Sequence, residues 1–204
     1  MISRLVVAAL CVAAAPASAQ SLTPEQLKAL VDERVAAQNP FAELLNDPDP
    51  SRSLAAMQIM LESGDRDLQR MALEFGLLST NPTVKRTAVE AFLSTKPVLT
   101  IRFDGTGLED SSFVRRMTGQ NATLTTENIG FWRVQVGDWN AERGCYMLVT
   151  GADCFATVNS DGVILQNQRT MTARLVIGDT GSLEGSATLY QVDTPVPTSV
   201  RLID

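Results

Sequence analysis

The chain has 204 residues, with 17 basic and 23 acidic side chains, no histidine and a formal net charge of −6. Its acidic balance disfavours nucleic acid and anionic membranes as partners. The lack of histidine excludes His-based triads, His metal sites and His pH switching.

Residues 1–19 carry the three parts of an export signal: Arg4 in a short basic start, an almost wholly apolar run from Leu5 to Ala15, and Ala17-Ser18-Ala19. The run is too short to span a membrane, so cleavage is expected after Ala19. Leu10 stands before Cys11 where a lipoprotein signal needs a small residue, which argues against a lipid anchor. A periplasmic or secreted protein without membrane insertion is therefore expected, in a compartment where disulfides persist. Residues 20–97 then read as a helical repeat region and 98–204 as an antiparallel β domain.

The helical region opens on Thr23-Pro24-Glu25-Gln26, an N-cap with Pro at the first helical position and Gln completing a capping box. Leu27, Leu30, Val31 and Val35 line one face. Asn39-Pro40 predicts a stop near Gln38, with one further turn over Phe41 to Leu45. Asp47-Pro48-Asp49-Pro50 reads as a rigid link, since it lacks the alternating oxygen ligands of a calcium loop.

Residues 49–96 divide into three sixteen-residue units, DPSRSLAAMQIMLESG, DRDLQRMALEFGLLST and NPTVKRTAVEAFLSTK. Ala56, Ala72 and Ala88 coincide, as do Met57, Leu73 and Val89, then Gln58, Glu74 and Glu90, then Leu61, Leu77 and Leu93. Asp49, Asp65 and Asn81 open the units as caps, because their side-chain oxygens can accept from unpaired first-turn N–H groups. In the middle unit Leu68, Met71, Ala72 and Phe75 form one apolar strip, and Leu73 with Leu77 a second, which predicts burial on two sides. The pattern resembles HEAT-type helical repeats, most closely in Asn81-Pro82-Thr83-Val84-Lys85-Arg86 with Ala88 and Leu93. Each unit here corresponds to one helix, where such repeats have two. The resemblance implies stacked helices that bind other proteins along a concave face, and no catalytic residues.

After Lys96-Pro97 the spacing changes to alternation. Leu99, Ile101 and Phe103 share a side; so do Trp132, Val134 and Val136; Met171, Ala173, Leu175 and Ile177; Leu183, Ala187 and Leu189; and Val200 with Leu202. Period two with one apolar side marks half-buried antiparallel strands. Turn signals at Asp104-Gly105, Asn140 to Gly144, Thr150 to Asp153, Ser160 to Gly162, Asp179 to Gly181 and Pro195-Val196-Pro197 divide eight or nine of them. Leu108 to Thr118 fits either a short helix or an irregular crossing. The expected fold is α+β, with N-terminal helical hairpins docked on a C-terminal antiparallel barrel or sandwich.

Cys145 and Cys154 remain after processing and are expected to pair. A two-residue hairpin at Gly151-Ala152 would set Cys145 four residues along the ladder from Cys154's partner, roughly 13 Å away. A bridge tolerates roughly 7 Å, so Tyr146 to Asp153 is predicted to be bulged or irregular. Asp179-Thr180-Gly181 spells the aspartic-protease triplet but has no partner triplet, and it reads as a hairpin turn. Gly105-Thr106-Gly107 has no following Lys and is also a turn. Asn121-Ala122-Thr123 is a glycosylation sequon that matters only in a eukaryotic host.

Gly130 to Tyr146 holds both tryptophans among polar residues. Trp132 falls on the apolar face and is expected in the core. Trp139 in a loop is the candidate aromatic platform, with Arg133, Asn140, Arg143 and Tyr146 as possible ligand contacts. No catalytic residue, metal ligand or cofactor is expected. The leading functional expectation is an exported non-enzymatic protein-interaction module, a protein partner being favoured over a small ligand. A small-ligand or carbohydrate-binding β domain comes second, and a carboxylate-based hydrolase third.

Overall fold

The computed structural model describes residues 23–108, 111–151, 153–160, 162–168 and 170–203, with no side chains described for 38, 39 and 111. The signal expected over residues 1–19 lies outside them. The chain divides between Asn39 and Pro40 into two compact units.

Helix α1, Pro24–Leu45, begins on the expected capping box: Thr23 N donates to Gln26 Oε1 (3.0 Å) and Gln26 N to Thr23 Oγ1 (3.2 Å). Within the first unit Leu27, Leu30, Val31 and Val35 are exposed. The predicted stop near Gln38 is corrected, because α1 runs through Pro40. Proline removes one N–H rung, but the turns beyond it are held: Asn46 N donates to Ala42 O (3.1 Å), Ser53 Oγ to Leu45 O, and Leu45 is buried.

The second unit opens its repeats with three equal helices, α2 (Pro50–Glu62), α3 (Arg66–Leu78) and α4 (Pro82–Ser94), each of 13 residues. The caps are those expected. Asp49 accepts from Ser51 N, Asp65 from Asp67 N and Leu68 N, and Asn81 from Thr83 N. A cap of this kind is worth about 1 kcal/mol. The acidic link before α2 is absorbed in the same way, for Asp47 accepts from Asp49 N (2.9 Å) and pairs with Arg52 (2.8 Å). Met57, Leu73, Val89, Leu61, Leu77 and Leu93 are all buried, and Leu68, Met71 and Phe75 pack on that core from the rim. The helices pack tightly at Gly76, where an added Cβ would lie 2.4 Å from Ala88 Cβ and 2.7 Å from Met57 Sδ.

From Val98 the chain is mostly pleated: β1 (Val98–Asp104), helix α5 (Ser111–Gly119), β2 (Thr123–Leu124), β3 (Ile129–Asn140), β4 (Cys145–Leu148), β5 (Cys154–Asn159), β6 (Gly162–Asn167), β7 (Met171–Ile177), β8 (Ser182–Leu189) and β9 (Val196–Arg201). Every pairing is antiparallel. β3 to β9 form a meander, β9 returns to β1, and β1 pairs with β3 from Val98↔Gln135 to Asp104↔Ile129. This closes a barrel of eight strands, with the short β2 laid on the other edge of β3. The fold is thus α+β with helices docked on a barrel. Leu108 to Thr118 resolves into the helix alternative, α5. Pro195-Val196-Pro197 is not all turn, since β9 starts at Val196 and carries Pro197 as its second residue, near a strand start where a missing N–H is tolerated.

Alternation places Leu99, Ile101, Phe103, Trp132, Val134, Phe155, Val163, Leu165, Ala173, Leu175, Leu183, Ala187 and Val200 in the core. An eight-stranded barrel is just wide enough for its own side chains to fill. Its two mouths are covered differently. Where β1 ends, α5 inserts the fully buried Phe113 and Met117. Two glycines make room: a Cβ at Gly105 would lie 2.4 Å from the Phe113 ring, and one at Gly130 would lie 2.6 Å from Met117 Sδ. Where β1 begins, the repeat helices sit on the barrel. Tyr146 Oη donates to Glu90 O (2.7 Å), Lys85 pairs with Asp179 (3.9 Å), and Leu77 and Ile203 close around Gly181. Gly181, at φ +75°, is in the Asp179-Thr180-Gly181 turn between β7 and β8, as expected of that triplet.

Candidate functional site

The β3–β4 hairpin carries most of the residues singled out from the sequence. Its turn is closed by Gly144 N donating to Asn140 O (2.9 Å) and Arg143 N to Asn140 Oδ1 (3.0 Å). Asn140 therefore serves the turn, and Arg143 supplies it with a backbone donor. The β3–β4 register shifts between Val136 and Trp139, next to Gly137, where a Cβ would meet β4 backbone at 3.1 Å. A bulge re-aims the side chains that follow it. The shift brings Trp139 onto the strand face it shares with Val136 and Tyr146, but at the hairpin end, where it is 52% exposed, whereas Trp132 is buried, edge-on to Phe155 at 6.1 Å.

Trp139 and Tyr146 are cross-strand partners, their rings meeting edge to face at 5.0 Å and 60°. Tyr146 is tied to α4: besides its bond to Glu90 O, its hydroxyl lies 3.0 Å from Ser94 Oγ. Burial pushes the Tyr146 hydroxyl pKa up; the Ser94 hydrogen bond works against this and the Glu90 charge adds to it. At neutral pH it stays a protonated donor.

The disulfide is formed between Cys145 and Cys154, with Cα atoms 5.7 Å apart. The expected irregularity is a register shift between Tyr146 and Met147. It is more compact than predicted, since the ladder continues to Leu148 and the turn is confined to the residues before Cys154.

Trp139 and Tyr146 form one wall of a groove of about 470 Å³ whose other wall comes from α2 and α4, through Gln58, Glu62, Arg86 and Glu90. Arg86 Nε donates to Glu90 Oε1 at 2.8 Å. These four helical residues were not among the sequence candidates, although one signal was available. Gln58, Glu74 and Glu90 share a repeat position, the polar one on helices otherwise read for their apolar faces. Arg133 does not join this group. It lies on the outer face of β3, in a separate depression of about 730 Å³ with Gln120, Thr123, Asp153 and Asn167. There the two polar atoms of the Gln120 carboxamide are buried without a protein partner.

Among the described residues no group of three or more His, Cys, Asp or Glu side chains could hold a metal ion. The chain matches no known family model, no curated protein and no solved structure.

Proposed function

We propose that this protein is an exported, non-enzymatic recognition module that engages a protein partner through its helices. The observation that carries this reading is the filled barrel. Its core is its own apolar side chains and both mouths are covered, so recognition falls to the outer surface. Large apolar side chains remain exposed on the helices, Ile59 on α2 at 69% and Leu78 on α3 at 55%, besides the α1 stripe. Burying such side chains against a partner is favourable, which makes them the candidate anchors.

Further observations support export and bear on the hydrolase alternative. The disulfide suits an oxidising compartment, and no described helix is long and apolar enough to cross a membrane. The carboxyls of Asp47 and Asp104 are both held below the usual carboxylate range: Asp47 by the Asp49 backbone N–H and then Arg52, Asp104 by Thr106 and then Arg102. Neither of these two carboxyls is therefore suited to act as a general acid at neutral pH.

The test is affinity capture from the exported fraction with the immobilised mature chain, set beside an Ile59→Ser, Leu78→Ser double variant and a Leu27→Ser, Leu30→Ser, Val31→Ser variant. A protein enriched by the wild type and lost with either variant supports the reading. Enrichment of nothing above a control resin, or equal capture by all three, defeats it.

A further inference from the structure

We propose that the groove between α2, α4 and the β3–β4 hairpin is a saccharide-binding site in which Trp139 is the stacking platform. This goes beyond the protein-partner reading and is independent of it, because it rests on different side chains and a different class of ligand.

Trp139 is half exposed although it is among the most costly side chains to leave in water. It is also held in place, since its ring rests on Tyr146, which is fixed to α4 through Glu90 O and Ser94 Oγ at 2.7 and 3.0 Å. A rigid aromatic face beside a polar wall is a preorganised surface, and preorganisation lowers the ordering cost of binding. A pyranose is the complementary shape, with an apolar C–H face for the ring and an edge of hydroxyls that both donate and accept.

The opposite wall offers what such an edge requires. Glu62 and Glu90 accept, Arg86 donates, and Gln58 does both, each through a planar group able to engage two neighbouring hydroxyls. The Arg86 bond to Glu90 uses Nε, so the terminal guanidinium nitrogens are further donors. Charge narrows the ligand class. Two carboxylates against one guanidinium repel phosphates and acidic glycans, and the net charge of −6 acts in the same sense. A purely apolar ligand would desolvate the polar wall without pairing it, at a cost. A neutral or amino-substituted saccharide satisfies both conditions, and about 470 Å³ falls in the ordinary range of small-ligand sites.

The two tryptophans simplify the test, for Trp132 is buried at 9% exposure and a surface ligand reports through Trp139. The full mature chain is titrated with maltohexaose, cellohexaose and chitohexaose up to millimolar concentration, with inorganic phosphate as the anion control, following tryptophan emission and heat. Saturable binding of at least one oligosaccharide is expected. Trp139→Ala should abolish it, Trp139→Phe should retain it in weakened form, and Glu62→Gln should weaken it by about tenfold, the equivalent of about 1.4 kcal/mol. Thermal melts confirm that the variants are folded. Absence of binding by all three oligosaccharides overturns the proposal, as does binding unchanged in Trp139→Ala or saturable binding of phosphate. Neither result alters capture through Ile59 and Leu78, so this proposal and the protein-partner reading can fail separately.

Discussion

The two mouths of the barrel are closed by helices of different kinds. At one, the short α5 drives Phe113 and Met117 into space cleared by Gly105 and Gly130, while Val114, Arg115 and Thr118 face solvent. At the other, three capped helices build their own core around Gly76 and rest on the barrel through Tyr146, Leu77 and Lys85. The difference teaches that a single helix can close a mouth with two side chains and no core of its own. A cap made of packed helices closes it and leaves outer faces free. The groove beside Trp139 exists only at the second mouth.

Breaking the plug should have the largest effect. Phe113→Ala removes a fully buried ring and is expected to cost about 3–5 kcal/mol in denaturant unfolding. The Cys145→Ser, Cys154→Ser pair follows, at about 2–4 kcal/mol, and thiol titration of the unreduced wild type should find neither sulfur free. Gly76→Ala strikes the cap. Its new methyl would approach Ala88 at 2.4 Å, and about 1–3 kcal/mol is expected for such overpacking.

Tyr146→Phe sharpens the comparison at the seam between cap and barrel. Loss of the hydroxyl's contacts with Glu90 and Ser94 should cost about 0.5–1.5 kcal/mol at neutral pH. The folded hydroxyl has a raised pKa and so keeps its proton to higher pH than the unfolded chain does. Its contribution is fully present below about pH 10, the ordinary tyrosine value, and is lost as pH rises through the folded value. Alkaline titration of stability should therefore be flatter in Tyr146→Phe. Smallest is Trp139→Ala, within about 0.5 kcal/mol of wild type, as expected for an exposed ring proposed to act in binding; a larger loss would make Trp139 part of the fold.

Elements with strong local signals were legible in the sequence. Asp49, Asp65 and Asn81 announced three helices, and the alternation from Leu99 to Val200 announced strands with the observed inward faces. Cys145 and Cys154 could be paired because they are the two cysteines left once the expected signal is removed, and the bridge in turn excluded a tight hairpin at Gly151-Ala152. Pro40 misled, because proline's local preference was outweighed by turns anchored on Leu45 and Asn46. Closure of the barrel was not legible, since the β1–β3 pairing joins residues some thirty positions apart with no pattern marking the match. For the same reason Trp139 and Tyr146 could be named in advance, while Gln58, Glu62, Arg86 and Glu90 were not, the polar repeat position shared by Gln58 and Glu90 being the one local hint. Arg133 was grouped with Trp139 by nearness in sequence, yet six residues along a strand carry it well away, about 20 Å at the usual rise.

Closure of the barrel has one more result. An open sheet ends in a row of free amides and carbonyls that recruit strands from other molecules, the first step toward fibres and precipitates. Here β1 and β3 use up those terminal rows on each other. The molecule therefore offers its neighbours few places to add a strand, and its solubility does not depend on a partner to cover a sheet edge.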